Sequence, residues 1–152
     1  MLATAASVAA GAVSLPRFSL GAQQGSRHGP APAILEHVRV ARHARFDRVV
    51  FEFRSGTPAW LARYVPTLGP AGPPVVLPGV VIRVVFRGAS VDRARAGGPE
   101  IVRTLRLPVL RRVKETRDAK RVVFFELGLR RLAPFRAFRL SDPGRLVVDV
   151  AH

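Results

Sequence analysis

From Glu36 onward, apolar and polar positions alternate with a period of two through most of the chain. That spacing puts successive side chains on opposite faces of an extended backbone, so it predicts strands with one buried face. His37 to Ala41 places Val38 and Val40 inward and Arg39 outward, and Phe46 to Arg54 puts Val49, Phe51 and Phe53 on one face. A third strand runs from Leu61 to Val65. A further one, Val80 to Arg87, buries Val80, Ile82, Val84 and Phe86 while Arg83 and Arg87 face out. The clearest grammar lies between Ala119 and Val150, where three strands are separated by turns. In 121–127, Val123, Phe125 and Leu127 oppose Val122, Phe124 and Glu126; both sides are largely apolar, which predicts a central strand. In 145–150, Leu146, Val148 and Val150 oppose Arg145, Val147 and Asp149. Ser141-Asp142-Pro143-Gly144 before it reads as a tight turn, with Gly144 accepting a positive φ.

Punctuation divides the rest. Pro66 to Pro78 carries five prolines and two glycines and predicts a loop, and Gly88 to Pro99 predicts another. Ile101 to Leu107 and Val109 to Glu115, split by Pro108, read as two strands or as a strand and a helical turn. Eight or nine short strands with turns between them predict an all-β fold, an antiparallel β-sandwich. One phrase occurs three times: an Asp, then an Arg opening an apolar run that ends beside an acid, at Asp47–Phe53, Asp118–Glu126 and Asp142–Asp149. It is either shared turn-then-strand grammar or the mark of a pseudo-repeated sandwich.

Residues 1–33 differ from the remainder of the chain. Ala3 to Leu15 is a small-residue apolar run of the length of a signal-peptide core, too short to span a bilayer. Its first basic residue, Arg17, comes after the run, and Pro32 spoils an A-x-A cleavage shape at Ala31-Pro32-Ala33. We read 1–33 as a leader-like segment, a partial signal peptide or a disordered tail, with a polar linker from Gln23 to Pro32. The folded domain is 36–152.

The chain of 152 residues carries 25 Lys and Arg against 10 Asp and Glu, a net charge of +15. Arginine supplies 23 of the 25 cations. All ten acids and 23 cations lie from Glu36 onward, which leaves +13 on the folded part. The absence of cysteine removes disulfides, thiol catalysis and Cys-based zinc sites.

Four histidines, His28, His37, His43 and His152, show no metal-ligand spacing, and no serine sits in a Gly-x-Ser-x-Gly elbow. His43 and Asp47 straddle a turn and read as a surface pair. The expectation is therefore a protein without catalytic residues, metal or cofactor. Polyanion binding has more behind it. Arg83 with Arg87, and Arg136 with the turn residues Arg130 and Arg131, are placed to line an outer face, and guanidinium forks suit phosphate and carboxylate. The competing reading is a solvated face whose arginine stems cover apolar surface. Trp60 and Tyr64 are the exposed aromatics this pattern offers a ligand, although Trp60 reads equally as a core plug. A cytoplasmic nucleic-acid-binding β-domain is the alternative motivated by charge alone; most of the phenylalanines fall at core positions instead of forming a stacking platform.

Several stretches resemble one family. Gly128-Leu129-Arg130-Arg131 through Pro134-Phe135-Arg136-Ala137-Phe138, then Pro143 and Arg145 through His152, is similar to the C-terminus of the AMIN-like domain. His43 to Phe53, Thr57-Pro58, Arg63-Tyr64-Val65 and Pro74 to Gly79 match it too. The resemblance implies a β-sandwich of secreted proteins and lipoproteins of high-GC Gram-positive bacteria. It implies a non-catalytic module at the cell envelope, with cell-wall glycan, an anionic envelope polymer or another envelope protein as partner. The sequence departs from the pattern at Trp60, where Tyr is expected, in Ser90 to Pro99, which lacks a Thr-Tyr pair, and in having no lipobox cysteine.

Overall fold

The computed structural model describes residues 14–65, 80–97, 102–104 and 106–152. In chain order the described elements are β1 (Gln23–Gly25), β2 (Ala33–Arg42), β3 (Phe46–Arg54), β4 (Ala59–Val65), β5 (Val80–Arg87), β6 (Ala89–Val91), α1 (Arg93–Ala96), β7 (Val102–Thr104), β8 (Leu110–Ala119), β9 (Val122–Leu129), β10 (Phe135–Leu140) and β11 (Gly144–Ala151). They form two sheets. One has the order β1-β4-β5-β9-β8-β7, the other β10-β11-β3-β2-β6. All neighbours are antiparallel except β2 and β6. The antiparallel sandwich that the alternation predicts is therefore the fold.

The inner faces hold the residues that the period of two assigns to them. Val49, Phe51 and Phe53 of β3 meet Ile82, Val84 and Phe86 of β5 and Val123, Phe125 and Leu127 of β9, all but inaccessible to water. Phe51 lies between Phe86 and Phe125, with ring centroids 5.1 Å and 4.9 Å away, tilted or edge-on as aromatic quadrupoles prefer. β3 and β9, two of the strands that carry the repeated phrase, are interior to opposite sheets, while β11 pairs directly with β3.

Several elements differ from the sequence reading. The polar stretch expected as a linker, Gln23 to Pro32, is part of the fold. β1 adds to the edge of β4, and backbone bonds join Ser19 to Phe135 and His28 to Thr57. The Gln23 side chain completes this strap across to the other sheet: its Nε2 donates to the Phe135 carbonyl at 2.9 Å and its Oε1 accepts from Ala137 N–H at 2.8 Å. A carboxamide thus stands in for a strand's peptide group, which no hydropathy pattern records. The loop expected over Gly88 to Pro99 contains β6 and α1; Asp92 caps α1 by accepting from Ala94 and Arg95 N–H. At the Ser141–Gly144 turn the positive φ belongs to Asp142, at 53°, not to Gly144. Gly144 is needed for closeness instead, since a Cβ there would lie 2.6 Å from the Gly56 carbonyl oxygen. Most of the Ala3–Leu15 run and the whole Pro66–Pro78 loop lie outside the described residues.

Candidate functional site

The outer face of the six-stranded sheet is built by the same alternation that fills the core. Cross-strand register sets its rows. One row runs Arg63, Arg83, Glu126, Lys114; the next runs Leu61, Val85, Phe124, Arg117. Arg87 stands beyond Val85 on β5, and Arg112 opposite Gly128. Among the described residues this face carries six cations, Arg63, Arg83, Arg87, Arg112, Lys114 and Arg117, and one acid, Glu126. Glu126 is committed to Arg83, whose Nη2 lies 2.6 Å from its Oε1. Arg63 sits directly opposite Arg83, a like-charge pair of the kind that weakens a sheet.

Phe124 is the half-buried centre of the face, with the Arg83 and Arg117 guanidinium carbons 5.8 Å and 5.5 Å from its ring centroid. Val81 and Val85 are only 7% exposed although they point outward, so arginine stems do cover apolar surface here. Arg63, Arg87, Arg112 and Arg117 are exposed. The arrangement is an apolar stripe with guanidinium groups on both sides, suited to a ligand that alternates an apolar ring or chain with anionic groups.

Arg136, expected with Arg130 and Arg131 on an outer face, is on the other sheet. It lies on the outer side of β10 beside Asp149 of β11 and Arg48 of β3, which share a cross-strand row. Asp149 is fully buried and accepts from Arg48 Nε at 2.6 Å, Arg48 Nη2 at 2.9 Å and Arg136 Nε at 2.9 Å. Phe18 of the strap covers Arg136 at 4.5 Å, and Phe46 and Phe138 lie against both guanidinium groups. The hydrogen bonds to Asp149 raise the Arg48 pKa still further above its ordinary value. Here one buried carboxylate holds both guanidinium groups and offsets one of their two charges, and Arg136 is a packing residue.

The other sequence-derived candidates fall into three places. Arg83 and Arg87 are on the basic face. Arg130 and Arg131 occupy the turn after β9, where Arg130 Nε is 3.4 Å from the Leu107 carbonyl. Trp60 and Tyr64 alternate inward with Ala62 and pack against the core. The Tyr64 hydroxyl donates to the Ala133 carbonyl and accepts from its N–H at 3.2 Å. Desolvation raises the phenol pKa, opposed by the Ala133 bond and the nearby Arg131 charge. Trp60 keeps one surface at a rim pocket, shared with Arg87. Arg63, Arg112, Arg117 and Phe124 were missed; their signal is the outward parity of β4, β8 and β9, legible only once the strand partners are known.

Two acids that invite a chemical reading are structural. Buried Asp47 accepts from Val109 N–H at 2.8 Å and Leu110 N–H at 2.9 Å, and its other oxygen lies 2.9 Å from His152 Nε2. It closes the sandwich end and does not engage His43, which stacks on Phe46 at 4.6 Å. Glu115 is held bidentately by Arg93 at 2.6 Å and 2.8 Å, tying α1 to β8. Among the described residues no three His, Asp or Glu side chains gather as a metal site, and no helix is long and apolar enough to cross a membrane.

The sequence profile of the AMIN-like domain matches residues 33–152, from the first residue of β2 to the end of the chain. The chain belongs to the AMIN-like domain family. Membership associates it with the cell envelope as a non-catalytic module. The strap, residues 14–32, precedes the matched region. Neither the curated proteins nor the solved structures contain a match to the chain.

Proposed function

We propose that this AMIN-like domain binds an anionic polymer of the cell envelope, a phosphate- or carboxylate-bearing wall glycan, through the outer face of its six-stranded sheet. One observation carries the reading: among the described residues, Arg63, Arg87, Arg112 and Arg117 share the outer face of one sheet with Phe124 and a single acid, Glu126, which is committed to Arg83, while Arg48 and Arg136 on the other side are both held by Asp149. A like-charged row such as Arg63–Arg83 costs stability in the free protein and is offset when an anion sits across it. The face has one half-buried aromatic at its centre, which does not make the run of stacking rings expected for single-stranded nucleic acid.

Co-sedimentation with purified cell wall tests this. The protein sediments at about 0.05 M salt and is released at about 0.5 M, because surface ion pairs are screened. Arg63→Glu with Arg117→Glu reduces sedimentation at low salt at least about tenfold. Arg39→Glu, on the opposite sheet, leaves it near wild type. Failure of the wild type to sediment at low salt ends the proposal. Tighter binding to an oligonucleotide than to wall at equal salt replaces it with the nucleic-acid reading.

A further inference from the structure

We infer that the strap and β4 together build a second, smaller site at the rim of the basic face, which takes a carboxylate carried on a compact apolar body. A pocket of about 520 Å³ lies there, walled by Gln24 and Ser26 of the strap, floored by Ala59, Trp60 and Leu61, and closed by Arg87. Arg87 pairs in register with Ala59 and also belongs to the basic face, so the pocket borders that face. The inference rests on the polymer reading for the natural source of the carboxylate, but not for the chemistry of the pocket.

Charge and donor count select the ligand. The residues that line it include one arginine, no acid, and the polar Ser26 and Gln24. Arg87 has no acid partner among the described residues. An anion therefore finds a planar bidentate donor and further hydrogen-bond donors, while the indole, Ala59 and Leu61 accept an apolar body. The floor is set by close packing. Gly25 lies against Trp60 so tightly that a Cβ would stand 2.5 Å from indole Nε1 and 2.7 Å from Cε2. Only glycine at 25 lets the strap lie over the indole and form this wall.

The chain contains a single tryptophan, so all indole emission comes from the residue that borders this pocket. The test titrates the full-length protein with two matched pairs. N-acetylmuramic acid is compared with N-acetylglucosamine, and N-acetyl-D-alanyl-D-alanine with its C-terminal amide. The expected result is a saturable change in Trp60 emission with one or both acids, at least about tenfold weaker or absent with the neutral partners. A response to the sugar acid alone marks a glycan source, and one to the peptide acid alone a peptide source. Arg87→Gln, at an exposed position, weakens the acid response about tenfold, and Gly25→Ala abolishes it by displacing the indole. Arg39→Gln, on the opposite sheet, keeps it within about twofold. The inference is overturned if neither acid acts by about 10 mM, if neutral partners act equally, or if Arg87→Gln matches wild type. Any of these leaves wall sedimentation unaffected, so this failure is distinct from failure of the polymer reading.

Discussion

At the scale of single residues, identical side-chain types do opposite work. Arg48 and Arg136 surround a buried carboxylate, so removing that carboxylate strands two guanidinium groups against aromatic rings. Asp149→Asn is expected to cost about 2–4 kcal/mol in urea unfolding. Replacing all three charges, with Asp149→Leu, Arg48→Met and Arg136→Met, recovers most of that loss, because an apolar set needs no desolvation of ions. Tyr64 gives a pH prediction with a definite sign. It is the only tyrosine, and its folded pKa is raised above the ordinary phenol value, chiefly by burial. Both states are protonated below about pH 10, where its contribution is fully present; as pH rises through the folded value that contribution is lost. Phenolate absorbance therefore begins to rise at higher pH in the native protein than in urea, and Tyr64→Phe removes this component of alkaline destabilisation. An absorbance titration with the same midpoint in both states contradicts this.

At the scale of elements, the strap and one hairpin carry specific expectations. The strap holds to the second sheet through Ser19, Phe18 and the two bonds of the Gln23 carboxamide. Gln23→Ala is expected to loosen it by about 1–2 kcal/mol and to speed trypsin cleavage at the exposed Arg17 and Arg27 about tenfold, without unfolding the sandwich. Unchanged cleavage shows that the carboxamide does not anchor the strap. The β8–β9 hairpin turns through Lys120 and Arg121, both at positive φ, 52° and 59°. That is the geometry of a two-residue turn that matches strand twist and is normally supplied by Asn-Gly. It is retained here by the Arg121 carbonyl, which accepts from both Gly88 and Ala89 N–H. Lys120→Asn with Arg121→Gly relieves the left-handed strain while keeping that carbonyl, and is expected to raise stability by about 1 kcal/mol. A fall in melting temperature contradicts it.

At the scale of the whole molecule, charge is segregated. One outer face spends its acids on its arginines; the other keeps a surplus around Phe124. Salt is therefore expected to act differently on stability and on binding. Raising salt from about 0.05 M to 0.5 M weakens wall association strongly, yet leaves unfolding stability nearly constant or raises it, since it screens the repulsion between Arg63 and Arg83 while buried Asp149 is little affected. Parallel losses of binding and stability with salt contradict this division.

Much of this was legible in the chain, and the reason differs by feature. The sandwich, the inward phenylalanines of β3, β5 and β9, and the outward Arg83 and Arg87 follow from side-chain period alone, because a strand has only two faces. The family likeness lay in contiguous phrases such as Gly128 to Phe138. The strap was not legible, since its hold is a side-chain amide imitating a backbone and a glycine under an indole. Nor was the inward parity of Trp60 and Tyr64, because β4 is short and its alternation weak.

By itself, the sequence determined that paired sheets enclose a core of Val, Leu and Phe under an arginine-rich surface. Local periodicity and composition suffice for that. Only the tertiary structure decided which arginines are held by carboxylates, because partners such as Arg48 and Asp149 are 101 residues apart and meet through strand register. Register is a property of pairs of strands, and no single stretch contains it.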